Sequence, residues 1–75
     1  MAYLDGKRAK PQTSKEAKLL IGKKVKYLLH RDVDYRRGIC FPKQGIITDV
    51  KGRNIMLNES DWIYISDIYE MVLVE

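Results

Sequence analysis

The sequence is poor in the residues from which most catalytic and metal sites are built. It contains a single cysteine, Cys40, and a single histidine, His30, among its 75 residues. One cysteine excludes an internal disulfide and the zinc sites built from cysteine pairs, and such a composition is typical of a reducing compartment. The chain also lacks a glycine-rich phosphate-binding loop. We therefore expect a protein without cofactor, bound metal or catalytic residues, and not an enzyme.

Long apolar runs are lacking as well. No stretch approaches the roughly 20 apolar residues that a transmembrane helix needs. The charges among the first eight residues are not followed by an apolar segment, so the pattern predicts no secretory signal. We expect a cytoplasmic protein with no membrane partner, folded as one small domain that has no room for a deep, dry active site.

Positive charge is what the sequence has in excess, and it is distributed unevenly. Residues 1–45 contain twelve Lys or Arg against four Asp or Glu, whereas residues 46–75 contain two against six. The formal net charge is +4. A basic segment of this kind is the natural partner of a polyanion or of an acidic protein surface.

The N-terminal region predicts a tail followed by a short helix. Residues 1–12 combine turn-forming and charged residues without an apolar period, which is typical of a flexible basic tail. Residues 13–75 are then the single domain. Thr13 and Glu16 have the spacing of a capping box, and Gly22 stands where the C-cap of a short helix is expected.

Period-two alternation of apolar and polar residues predicts five short strands in the rest of the domain. The clearest pattern is a hairpin over residues 43–58, in which Lys51 and Gly52 form the turn. Ser66 to Tyr69 predict a single helical turn before the last strand. The predicted strands cover residues 23–30, the two arms of the hairpin, residues 62–65 and residues 70–75.

This order of elements resembles the SH3-like small barrel over residues 22–75, and within that class it is most similar to the KOW and Tudor type. Gly22-Lys-Lys-Val25 and Gly45-Ile-Ile-Thr-Asp-Val50 echo the spacing of the KOW hairpin. The loop over residues 31–42 is longer than a KOW motif expects, and its apolar segment Ile39-Cys40-Phe41 is foreign to that motif.

The resemblance implies a mainly β, five-stranded SH3-like small barrel with a short N-terminal helix and a one-turn helix before the last strand. An open sheet with the helix on one face is the alternative that the same strands allow. The resemblance also implies a binding module, because such barrels commonly bind RNA, DNA, ribosomal surfaces, methylated side chains or proline-rich peptides. The fold does not choose among these ligands.

The basic residues favour a nucleic-acid interface. In a small barrel the first strand and the first loop are neighbours, so their charges can merge, and Tyr35 is placed to stack on a base. The predicted RNA- or DNA-binding residues are Lys23, Lys24, Lys26, Arg31, Tyr35, Arg36, Arg37 and Lys43. The competing interpretation is a solvated face in which Asp32 and Asp34 pair with the arginines.

A protein-interaction module is the alternative function. Ile39 and Phe41 in the long loop, or an aromatic rim around Trp62, would dock the protein onto a larger assembly, as in a bacterial or phage accessory protein. Trp62, Tyr64 and Tyr69 also allow a cage for a methylated lysine, although such rings more often fill a core. Pairing of an edge strand with a second copy would make the monomer a weak homodimer.

Overall fold

The computed structural model describes residues 4–74, and about half of this range is β-strand. The strands are β1 (Lys7–Arg8), β2 (Lys24–Leu29), β3 (Val33–Asp34), β4 (Ile39–Cys40), β5 (Lys43–Lys51), β6 (Asn54–Leu57), β7 (Asp61–Tyr64) and β8 (Ile68–Leu73). The α-helix α1 covers Ser14–Lys18, and 3-10 turns cover His30–Asp32 and Ile65–Asp67. The prediction of a mainly β protein is confirmed.

Six strands form one antiparallel sheet in the order β1-β8-β2-β5-β6-β7, and β3 and β4 form a separate hairpin. Within the described residues the outer strands β1 and β7 do not pair with each other, so the sheet is open. The sequence predicted five strands for this sheet, and the sixth, β1, comes from the N-terminal segment.

The main core lies on one face of this sheet, which we call the inner face. Val25, Tyr27 and Leu29 alternate along β2 and point into the core, as the period-two pattern predicts. Ala17 of α1 is fully buried against the same cluster, so the helix covers the inner face. The buried members are Ala17, Val25, Tyr27, Leu29, Ile47, Val50, Ile55, Leu57, Ile63, Ile65, Ile68 and Met71.

A second, smaller cluster lies on the opposite, outer face of the sheet. It consists of Leu4, Leu28, Val33 and Val72, with Cys40 and Tyr69 packed against it. Leu28 belongs to the same face of β2 as Lys24 and Lys26, because side chains alternate along a strand. Since Val33 lies in the β3–β4 hairpin, this hairpin folds over the Leu28 end of the outer face.

The N-terminal segment lies against the sheet, which differs from the interpretation of residues 1–12 as a tail. Strand β1 pairs with β8, and the Ala9 N–H donates to a carbonyl of β8 at 2.9 Å. Leu4 and Pro11 are buried. A strand of two residues has no periodicity to detect, so the pattern could not reveal it. Residues 1–3 lie outside the described range.

Helix α1 begins where the capping pattern predicts. The Glu16 N–H donates to Thr13 Oγ1 at 3.2 Å. The Glu16 carboxylate accepts the N–H of Gln12 at 3.2 Å, one residue earlier than in a standard capping box. The helix has five residues, so its stability depends on packing against the inner face and not on its own hydrogen bonds.

Candidate functional site

The outer face of β2 carries two of the predicted nucleic-acid-binding residues, Lys24 and Lys26. Lys24 is exposed and Lys26 is half-buried, and both point away from the main core because Val25 and Tyr27 point into it. Lys23 is exposed immediately before the strand. The alternation of β2 therefore turns Lys24 and Lys26 away from the main core, as the period-two pattern predicts.

A row of side chains crosses four strands on this face. Lys26 lies opposite Gln44 of β5 on one side and opposite Val72 of β8 on the other. Val72 in turn lies opposite Arg8 of β1. Residues paired across an antiparallel ladder share a face, so Arg8 and Lys26 lie on the same face, two strands or about 10 Å apart. Sequence reasoning missed Arg8, because only the pairing of β1 with β8 brings it here.

A shallow groove runs beside this row. It has a volume of about 440 Å³ and is lined by Lys7, Lys26, Gln44, the end of β8 and the exposed Asp5 and Gly6. Lys7 is therefore a second cation of β1 at this groove, although the sequence analysis assigned it to a flexible tail. The groove is open and polar, as expected of a surface that contacts a backbone and not of a pocket that encloses a small molecule.

Arg36 and Arg37 lie at the tip of the β3–β4 hairpin, which packs against the outer cluster through Val33 and Cys40. Asp34 fixes the turn, since its Oδ1 accepts the N–H groups of Arg36 at 3.1 Å and of Arg37 at 3.2 Å. Asp34 Oδ2 also lies 3.8 Å from Arg37 Nε, with the two side chains 42% and 76% exposed. A pair this exposed is weak, and Arg36 is itself exposed, so both guanidinium groups are accessible to a ligand.

Tyr35 is held in place beside these arginines. Its hydroxyl lies 3.3 Å from Nδ1 of His30, and its ring lies edge-on to Tyr69 with 6.0 Å between the centroids. The His30 ring is also edge-on to Tyr69, at 5.2 Å. Tyr69 reaches this position because the register of β8 against β2 shifts at Leu28 and makes it the additional residue of a bulge. Tyr35 is 61% exposed, so its ring remains available for stacking.

Arg31 and Lys43 do not join this surface. Lys43 lies opposite Tyr27 and therefore on the inner side of the sheet, where its Nζ is 3.9 Å from the Asp32 carboxylate. Arg31 and Lys43 line a recess of about 220 Å³ together with Asp61. The sequence could have predicted this position of Lys43. Side chains alternate between the two faces of a strand, and Lys43 lies four residues before the buried Ile47 of β5, so both belong to the inner face. The sequence interpretation of these two cations as part of one patch is not supported by their positions.

The recess at Lys43 has balanced charges. Burial raises the pKa of Tyr27 above 10.0, the Asp61 and Asp32 carboxylates raise this pKa further, and Arg31 lowers it. Asp32 pairs here with Lys43 and not with an arginine, whereas the Asp–Arg pair of the competing interpretation is found between Asp34 and Arg37 at the hairpin tip. Two cations facing two carboxylates do not favour an anionic ligand.

The aromatic residues are divided between two places. Trp62 and Tyr64 are exposed on β7, whereas Tyr69 packs beside His30 and Tyr35 in the outer cluster. A cage made of Trp62, Tyr64 and Tyr69 is therefore not assembled. Trp62 instead has Nζ of Lys51 at 5.9 Å from its ring centroid, the geometry of a cation–π contact.

The apolar residues predicted to dock a protein are also divided. Ile39 and Phe41 are 42% and 64% exposed and lie on the hairpin side that faces away from the outer cluster. Their neighbour Cys40 points the other way and packs against that cluster. Trp62 lies on β7, at the far edge of the sheet. The hairpin and the β7 edge are thus two separate surfaces.

Neither metal binding nor membrane insertion gains support from the described part of the chain. Among residues 4–74, no three His, Cys, Asp or Glu side chains are close enough together to hold a metal ion. Within the same residues, no helix has both the length and the apolar character required to cross a bilayer.

Comparison of the chain with protein-family models, with curated proteins and with solved structures gives no match. The function is therefore argued from the geometry and the charges of the outer face itself.

Proposed function

We propose that the protein is a small, non-enzymatic module that binds nucleic acid through its outer face. The supporting observation is that cations come from three separate segments: Arg8 of β1 and Lys24 and Lys26 of β2 share the outer face, and Arg36 and Arg37 lie at the tip of the hairpin that packs on this face. Such a basic surface with an accessible aromatic ring is typical of nucleic-acid binders that tolerate many sequences.

The carboxylates near this surface are largely engaged within the protein. Asp34 accepts the backbone N–H groups of the hairpin turn. Glu70, on the outer face opposite Leu28, is 5% exposed and accepts the Leu4 N–H at 3.0 Å. Asp5 is the exposed carboxylate beside the groove. The exposed cations therefore exceed the exposed carboxylates here, which favours an anionic partner.

The binding mode that follows is contact with phosphates. Each phosphate neutralised by a lysine or arginine releases condensed counterions, so the affinity depends strongly on salt and weakly on sequence. Tyr35 adds stacking next to Arg36, because its ring is exposed while its hydroxyl is anchored at His30. Whether RNA or DNA is preferred depends on contacts to the 2′-hydroxyl, which the phosphate contacts do not provide.

We also propose that the fold is a variant of the SH3-like small barrel. Three features support this: the order β8-β2-β5-β6-β7 of the longer strands, the long connection between β2 and β5, and the 3-10 turn directly before β8. The β3–β4 hairpin then occupies the position of the long first loop, and β1 is an addition at the edge.

The experiment that tests the function is an amide chemical-shift titration with short mixed-sequence RNA and DNA, first at about 50 mM and then at about 200 mM salt. We expect shifts at Arg8, Lys24 and Lys26 and at the hairpin tip, and we expect them to fade at the higher salt. Replacing Arg36 and Arg37 by Ala should weaken binding to all sequences alike. A spectrum that does not change at low salt would refute the proposal.

A protein-interaction module is the second candidate, and the exposure of Ile39 and Phe41 favours it. Two apolar side chains on the outward side of one hairpin have no packing role in either cluster. The affinity for a protein partner docked through these side chains would depend little on salt. Phe41→Ala would abolish this binding, and the variant would remain folded. A cytoplasmic location and a monomer or weak homodimer are compatible with both candidates.

A further inference from the structure

Two aromatic rings project from the edge strand β7 into solvent. Trp62 is 45% exposed and Tyr64 is 59% exposed, whereas Ile63 between them is buried in the main core. Trp62 lies opposite Met56 of β6, and Tyr64 lies opposite Asn54. The alternation of β7 therefore gives both rings to the outer face, and neither ring belongs to either apolar cluster.

This aromatic pair lies on the same face of the same sheet as the basic row. Strand β5 connects the two regions, because its exposed Ile46 lies opposite Lys24, and its last residue, Lys51, lies opposite Asn54. Lys51 Nζ is 5.9 Å from the Trp62 ring centroid. A cation thus lies over the ring of Trp62, one of the two exposed rings.

The spacing of the rings restricts what can stack on them. Residues two apart on a strand are separated by about 6.7 Å, roughly twice the 3.4 Å rise between stacked bases in a duplex. Two successive bases can occupy both rings only when they are unstacked and the backbone is extended. Single strands allow this, whereas a duplex hides the faces of its bases.

We propose that Trp62 and Tyr64 form a stacking site for two unpaired bases of single-stranded nucleic acid, with Lys51 contacting the intervening phosphate. This inference rests on the proposed nucleic-acid function and names its substrate class. The basic row binds the backbone, and the rings of β7 select single strands over duplexes. An exposed aromatic pair on an edge strand is otherwise a liability for association.

Fluorescence provides a direct test, because Trp62 is the one tryptophan in the sequence. The probes are an oligothymidylate of about ten nucleotides, which lies within the site sizes known for small single-strand binders, and a mixed-sequence duplex of similar length. We expect saturable quenching of Trp62 by the single strand and much weaker quenching by the duplex. Affinities of variants are measured separately, from the anisotropy of labelled oligonucleotides.

The informative variants are Trp62→Leu and Tyr64→Leu, which keep an apolar side chain but remove the ring. Loss of one stacked ring should weaken single-strand binding by roughly fivefold to a hundredfold. Trp62→Phe keeps a ring and should lose less. Phe41→Leu removes another exposed ring, on the hairpin, and serves as the matched control that should leave the affinity within about twofold. Circular dichroism and thermal melting verify that each variant folds.

The possible results separate this inference from the function on which it rests. If both Leu variants bind the oligothymidylate as tightly as the parent protein, with the salt dependence intact, the stacking site is refuted and the basic surface stands. If no oligonucleotide binds at low salt, the nucleic-acid function itself fails. If Trp62 fluorescence changes with protein concentration and not with oligonucleotide, the rings pair β7 with a second copy and the stacking site is again refuted.

Discussion

Gly45 in β5 has no side chain, and the side chain of Asn58, in the turn after β6, occupies the space that a side chain would fill. A β-carbon at this position would lie 2.7 Å from Nδ2 and 3.0 Å from Oδ1 of Asn58. Oδ1 of Asn58 accepts the Ile46 N–H at 3.1 Å, and Asn58 has a φ of 54°, which asparagine tolerates better than most residues. We predict that Gly45→Ala displaces this amide and lowers the free energy of unfolding by about 1–2 kcal/mol.

Chemical denaturation of Gly45→Ala, Asn58→Gly and the double variant tests this mechanism. Asn58→Gly removes the hydrogen bond but permits the same φ, and it also removes the atoms that clash with the methyl group added by Gly45→Ala. The double variant should therefore be more stable than the sum of the two single losses predicts, by at least about 0.5 kcal/mol. Strict additivity would show that the clash at Asn58 is not the cause of the loss.

Tyr27 makes the stability of the protein depend on pH in alkaline solution. Its pKa is raised above 10.0 by burial and then by the carboxylates of Asp61 and Asp32, while Arg31 lowers it. The folded protein therefore holds the phenolic proton more strongly than the unfolded chain does. This contribution is complete below the unfolded pKa near 10 and is lost as the pH rises through the folded pKa.

We predict that the free energy of unfolding falls less steeply above about pH 10 in Tyr27→Phe than in the parent protein. Asp61→Asn removes the second largest cause of the raised pKa and should give an intermediate slope. Denaturation curves between about pH 8 and pH 11 measure these slopes. Tyr64→Phe is the matched control, because Tyr64 is 59% exposed. The same decline in all four proteins would contradict the role of Tyr27.

Strand β1 is the element that sequence patterns assigned to a tail, and its contribution to stability can be measured. It pairs with β8, and Leu4 just before it is 6% exposed in the outer cluster. We predict that deletion of residues 1–9 lowers the free energy of unfolding by at least about 1.5 kcal/mol, since burial of one leucine contributes about 1.5–3 kcal/mol. A tail without contacts predicts no change.

Hydrogen exchange supplies an independent measurement for the same element. The amide of Ala9 donates to a β8 carbonyl at 2.9 Å and should exchange more slowly than an unprotected amide. Leu4→Ala in the full-length chain separates the apolar contribution from the backbone pairing. Rapid exchange at Ala9 together with unchanged stability of the truncated chain would restore the tail interpretation.

The longer strands were predictable because apolar residues, which become buried, recur at every second position of their sequences. Val25, Tyr27 and Leu29 mark β2, and Gly52, with a φ of 58°, marks the turn between β5 and β6. The two-residue strands β1, β3 and β4 have no such repeat. The bulge that moves Tyr69 to the outer cluster is set by pairing between β2 and β8, and local sequence does not encode it.

The candidate site was predictable to the extent that it depends on one strand or one loop. Lys24 and Lys26 follow from the alternation of β2, and Arg36 follows from the charge of the long loop. Arg8 joins them only through cross-strand pairing, which composition does not reveal. Lys43 was placed in the patch from its position in the chain, although its parity along β5 assigns it to the inner side.

For the whole molecule, the position of the charges matters more than their sum. The formal net charge is +4, but cations also lie on the helix side of the sheet, where Lys15 and Lys18 of α1 are exposed. Replacing Lys24 and Lys26 by Gln, or replacing Lys15 and Lys18 by Gln, removes two of the fourteen basic residues in each case. The two variants have equal net charge and differ only in the face of the sheet from which two positive charges have been removed.

We predict that these two variants differ in the salt dependence of nucleic-acid binding. A plot of log affinity against log salt concentration has a slope of about −0.7 for each phosphate contact to a single strand. Loss of Lys24 and Lys26 should therefore make the slope shallower by up to about 1.4, if each contacts one phosphate, and should weaken binding at low salt. The α1 variant should keep the parent slope. Equal losses in both would mean that net charge alone attracts the ligand, because only a defined outer-face interface distinguishes two proteins of identical charge.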